Sequence, residues 1–129
     1  MINCVLQKTR RQSRGRTNFH AGQVAEDVAA RTYARRGLVE ASRRWRGESG
    51  EIDLVLRDGE GLIFVEVKRG RDFDRAAQHL THRQICRIFA AAQEYVANEP
   101  RGELTDMRFD LALVDDMGAV EIRENALAA

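Results

Sequence analysis

The stretch EIDLVLRDGEGLIFVEVK, residues 51–68, decides how this chain folds. Apolar and polar residues alternate in Ile52 to Arg57 and again in Leu62 to Lys68, the period of a strand with two unlike faces. Between the two runs stands Asp58-Gly59-Glu60-Gly61, hairpin turn chemistry. With residue 57 opposite 62, Leu54 falls opposite Val65 and Asp53 opposite Glu66. One face then carries Ile52, Leu54, Leu56, Ile63, Val65 and Val67, a core surface; the other carries Asp53, Glu66 and Lys68.

Directly opposed side chains have Cβ atoms about 5 Å apart, and like charges there destabilise a sheet. A divalent magnesium or manganese ion would compensate, because hard cations take carboxylate oxygens and each strand supplies one. Lys68, two residues beyond Glu66, projects from the same face, where an ammonium could orient an attacking water or stabilise charge on a phosphate. Of the 21 basic residues only Lys8 and Lys68 are lysine, so Lys68 marks a place where a compact ammonium stands instead of the planar arginine fork. Spacing alone leaves a plainer reading open. Asp53 and Glu66 could face solvent on a one-sided sheet, and Glu51, opposite Lys68 in this register, could form an ordinary cross-strand ion pair.

Outward from the hairpin, Val24, Ala25, Val28, Ala29 and Tyr33 recur at helical spacing over Ala21 to Arg36, with Gly37 as the stop. Glu26 lies in the first turns of this helix. Leu38 to Trp45 reads as a short return strand, rimmed by Arg43, Arg44 and Arg46. These three, with Arg69 and Arg71 after the hairpin, are the candidate phosphate contacts. Thr81 and Gln84 form a capping box and Leu80 with Ile85 a hydrophobic staple, which opens a second helix with Ile85, Ile88, Phe89, Ala92, Tyr95 and Val96 as its stripe. Met107 to Val114 and Ala119 to Ile122 follow as strands. This order of elements is α/β or α+β.

At 129 residues, with 43% apolar and 32% charged residues and one proline, the composition is that of one soluble globular domain. No apolar run approaches the ~18 residues of a membrane span, and charge from Lys8 onward is unlike a secretory signal. The expectation is a cytoplasmic protein with no membrane partner. Cys4 and Cys86 have neither C-x-x-C nor zinc spacing, so both are expected as reduced thiols. Residues 1–18 carry Lys8, Arg10, Arg11, Arg14 and Arg16 with no acid, a basic flexible arm; 19–124 is the domain and 125–129 a frayed tail.

Four ordered motifs, Gly22-Gln23-Val24-Ala25-Glu26, Gly50-Glu51-Ile52-Asp53-Leu54-Val55, Phe64-Val65-Glu66-Val67-Lys68-Arg69 and Arg108-Phe109-Asp110, resemble the bacterial YraN-like family of uncharacterised proteins. That family looks like a branch of the PD-(D/E)XK restriction-endonuclease-like nucleases, similar to Holliday-junction resolvases. The resemblance implies a central mixed β-sheet flanked by helices. It implies Asp53 as the motif aspartate, Glu66 and Lys68 as the E-x-K pair, and Glu26 as an added acid, with Glu26, Asp53 and Glu66 holding Mg2+ or Mn2+. It further implies a nuclease acting on DNA more readily than RNA, on structured or branched forms, as a homodimer by analogy with junction-cleaving relatives. Two positions depart from the pattern: Gln84 stands where relatives tend to have lysine, and Arg44 occupies an asparagine-like position before Trp45. A nucleic-acid-binding protein without catalysis, on the same scaffold, is the alternative, and a protein-interaction scaffold a third.

Overall fold

A computed structural model of the chain describes residues 16–127. In order these form α1 (Arg16–Arg35), β1 (Val39–Arg46), β2 (Glu51–Asp58), β3 (Gly61–Arg69), α2 (Phe73–Gln78), α3 (His82–Val96), a 3-10 turn (Gly102–Leu104), β4 (Met107–Val114) and β5 (Val120–Arg123). The five strands make one mixed sheet in the order β1-β2-β3-β4-β5, with β3 and β4 parallel and the other neighbours antiparallel. The fold is α/β, as the order of elements predicts. Residues 1–15 of the expected basic arm lie outside the described residues, and from Arg16 the chain is already helical.

The hairpin has the predicted register, with Arg57 opposite Leu62 and Leu54 opposite Val65. Both of its faces are covered. Leu54, Leu56, Ile63 and Val65 pack with Ala29, Ala30 and Tyr33 of α1. Val55, Leu62 and Phe64 pack on the other side with Ala91, Ala92 and Val96 of α3. The expected polar face is therefore largely a second core, and Ile52 joins that cluster instead of the one containing Leu54. Alternation along one hairpin cannot reveal this, because a strand buried on both faces reads as apolar at nearly every position. Trp45, Tyr95, Phe64, Phe109 and Phe89 form a chain of aromatic contacts beneath the sheet, with centroids 4.6–5.7 Å apart.

Helix α1 ends where Gly37 takes a φ of 84° and the Leu38 N–H donates to the Tyr33 carbonyl, a glycine stop of the expected kind. Val24, counted in its apolar stripe, is instead 60% exposed. Helix α3 opens on the predicted capping box, in which Thr81 and Gln84 bond each other's backbone N–H. Helix α2 has no counterpart in the sequence reading. Its six residues are too few for an apolar period, and Asp72 caps it by accepting from the Arg75 N–H. Residues 125–127, expected as tail, are held: the Asn125 N–H donates to Asp110 and Leu127 is 1% exposed. Cys86 is disulfide-bonded, against the expected thiol; no spacing in the sequence announces that pairing, and Cys4 lies outside the described residues. Among the described residues no helix is long and apolar enough to cross a membrane.

Candidate functional site

The pairing of β2 with β3 runs from Asp58 and Gly61 to Leu54 and Val65. Beyond that point Asp53 does not continue the ladder as the partner of Glu66. Its carboxylate Oδ2 instead accepts the Val67 N–H at 2.8 Å, so a side chain replaces the backbone acceptor. Glu66 lies beside Leu111 and Lys68 beside Leu113 in the parallel register with β4. Lys68 Nζ stands 4.0 Å from Glu66 Oε1, and both side chains are largely covered, at 16% and 11% exposure. That burial removes the reading in which these residues face solvent on a one-sided sheet. Glu51 pairs with Arg46 at 3.0 Å, so the cross-strand Glu51–Lys68 pair does not account for the lysine.

Glu26 reaches the same place from α1, where Ala25 and Ala29 on either side of it fix the helix against the sheet. Its carboxylate accepts from Arg44 Nε at 2.6 Å. Burial pushes the Glu26 carboxyl above its ordinary range, the Arg44 hydrogen bond opposes that rise, and the charge of Asp53 adds to it. Glu66 is driven well above the carboxylate range, first by burial and then by the charge and hydrogen bond of Asp53, with Lys68 opposing and Glu26 adding to the rise. Three carboxyls thus crowd one interior corner of the sheet with one ammonium and one guanidinium among them.

A divalent cation suits this donor set, because it stabilises the ionised form of every carboxyl that burial and mutual repulsion disfavour. Asp53 is the acid that acts most strongly on Glu66, and a cation beside the pair would offset that repulsion. Among the described residues no group of three carboxylate, imidazole or thiol side chains converges into a complete metal-holding set. Glu26, the third predicted ligand, is engaged by Arg44.

The predicted phosphate contacts divide into two groups. Arg43 pairs with Asp27 and Glu40, Arg44 with Glu26, and Arg46 with Glu51. Arg69 and Arg71 are exposed and, together with Lys68, His79 and Gln84, line an open cleft of about 570 Å³. Gly70 lets this cleft form. A Cβ at that position would lie 2.6 Å from the Ala76 nitrogen, so only glycine allows α2 to seat against the end of β3. His79, at the end of α2, escaped the sequence reading because the helix that presents it did; Asp72 as an N-cap after Gly70 was the available signal. Gln84 keeps its capping role and lines the cleft as well.

A helix-flanked mixed sheet that brings Glu26, Asp53, Glu66 and Lys68 together beside its central hairpin defines an α/β protein with a candidate site at that corner. The chain belongs to the uncharacterised protein family UPF0102, whose model matches residues 25–114. It is 56% identical over 115 residues to a UPF0102 protein of Cereibacter sphaeroides strain KD131, covering 89% of this chain and 98% of that one. A relative from Ruegeria pomeroyi is 56% identical over 114 residues, covering 88% and 93% of the two chains, and one from Dinoroseobacter shibae is 39% identical over 115 residues, covering 89% and 86%.

Proposed function

We propose that this protein is a metal-dependent nuclease of restriction-endonuclease-like fold, hydrolysing phosphodiester bonds in DNA, with structured or branched DNA as its preferred form. The observation that carries the reading is the largely covered Glu66 beside Asp53, with Lys68 4.0 Å from Glu66: Asp53 answers the Val67 N–H, but that bond gives no reason for a second acid and an ammonium in the same corner. Asp53 and Glu66, with Glu26 from α1, would hold Mg2+ or Mn2+. The ion would supply Lewis-acid polarisation of the phosphate and acidify an attacking water. Lys68 would fix that water or offset negative charge growing on the phosphate, and burial strengthens either effect. Arg69 and Arg71 in the adjacent cleft supply charge for the flanking phosphates.

Calorimetric titration of Mg2+ or Mn2+ into the native chain and into an Asp53→Ala, Glu66→Ala double variant tests the metal site. Binding in the first and none in the second is expected. Cleavage of duplex, single-stranded and branched DNA, with and without chelator, then tests the reaction; absence of cleavage on all three would overturn it. The Glu26–Arg44 ion pair favours a second reading, a nucleic-acid-binding protein without catalysis, because it engages one of the three acids. Such a protein keeps its DNA affinity in chelator and loses little on Asp53→Ala.

A further inference from the structure

Arg44 has a backbone conformation that its side chain does not favour. It lies within β1 at a φ of 50°, and among the described residues only Asn125 is another non-glycine residue with positive φ. Asparagine visits the left-handed region readily; for a long side chain the cost is about 1–2 kcal/mol. From this position the guanidinium reaches α1, where Nε meets Glu26 Oε2 at 2.6 Å, and the Glu26 side chain is only 13% exposed. Asp53, Glu51 and Glu66 also act electrostatically on or from Glu26, so the corner facing the guanidinium is acidic from three elements, α1, β2 and β3.

We propose that Arg44 is the resident counter-ion of this acidic corner, competing with a divalent cation for the Glu26 carboxylate. This rests on the metal-site reading above. When a cation is held by Asp53 and Glu66, Glu26 Oε2 joins its oxygen set only by leaving Arg44 Nε, so the ion pair and coordination through that oxygen compete. Binding at one partner then weakens the other by the same factor. Arg44 is a positioning residue in this scheme: it sets where Glu26 points and how tightly the site takes metal.

The test is titration of MnCl2 into the full chain by calorimetry in four forms: native, Arg44→Asn, Glu26→Gln and the double variant. Asparagine is at home at positive φ, so Arg44→Asn removes the guanidinium without adding strain, and Arg44→Gly repeats the test with a residue equally tolerant of that angle. Arg44→Asn is expected to bind manganese about tenfold more tightly, the size of one lost charge-assisted hydrogen bond. In the Glu26→Gln background that gain is expected to vanish. A gain that persists there would mean relief of long-range repulsion only, and equal affinities of native and Arg44→Asn would mean no competition; either result overturns the proposal. If manganese binds the native chain and is lost on Asp53→Ala, Glu66→Ala but ignores Arg44, only the counter-ion role fails. If no form binds manganese, the metal-site reading fails with it.

Discussion

Two buried acids on neighbouring strands meet opposite fates in this molecule. Asp110 on β4 is fully buried and fully answered: the Tyr33 hydroxyl donates to it at 2.8 Å, Arg108 donates through Nε at 2.9 Å and through a terminal nitrogen at 3.0 Å, and the Asn125 N–H donates at 2.9 Å. Glu66 on β3 is nearly as covered, yet its surroundings include Asp53 and Glu26, with a single ammonium 4.0 Å away. The first arrangement ties α1, β4 and the C-terminal segment together. The second gathers like charges in one corner, with the Lys68 ammonium and the Arg44 guanidinium to offset them. Burial alone does not separate a structural acid from a candidate functional one; the balance of partners does.

Substitutions can break or sharpen that contrast. Asp110→Ala is expected to have the largest effect, a loss of about 3 kcal/mol in chemical denaturation, because it strands the buried Tyr33 hydroxyl and takes from Arg108 the nearer of its two carboxylates. Tyr33→Phe, which removes one donor and leaves Arg108 in place, is expected to cost roughly 1–2 kcal/mol in the same measurement. Glu66→Gln is expected to move the other way, raising metal-free stability at pH 7 by up to about 1 kcal/mol through relief of like-charge crowding. Because the folded chain holds the Glu66 proton more tightly than the unfolded chain, the contribution of Glu66 is full below the ordinary carboxyl pKa of 4.5 and declines as pH rises through the elevated value. Thermal melts of the metal-free protein across that range are expected to show a downward slope with pH that flattens in Glu66→Gln. Arg71→Ala, at an exposed position in the cleft, is expected to leave stability unchanged and to lower the salt slope of DNA binding by about one.

The hairpin was legible to the residue as far as Leu54 and Val65, because turn chemistry and alternation both act locally. Past that point the reading fails for a tertiary reason: the Asp53 side chain takes the Val67 N–H, and Ile52 packs with the α3 side of the sheet. Asp53, Glu66 and Lys68 stood out as chemistry on one strand pair, and the structure puts all three in the same corner, with Glu26 added from α1. That Arg44 would bond Glu26 was invisible, since a positive φ at an arginine leaves no mark in a sequence. Arg69 and Arg71 gather in the cleft as candidate contacts, while Arg43 and Arg46 are held by the chain's own acids, a division set by which carboxylates lie nearby in space.

The parallel pairing of β3 with β4 also separates local closures from distant ones. Asp53 and Val67, joined by a hydrogen bond, are 14 positions apart in the chain, whereas Tyr33 and Asp110 are 77 apart. Closing the shorter loop costs less entropy, and the parallel strand can dock only after the excursion through α2 and α3 has returned. The Asp53–Val67 bond is therefore a local closure within the hairpin, whereas the Asp110 clasp closes across most of the chain, and the burial of Glu66 and Lys68 is completed only by β4.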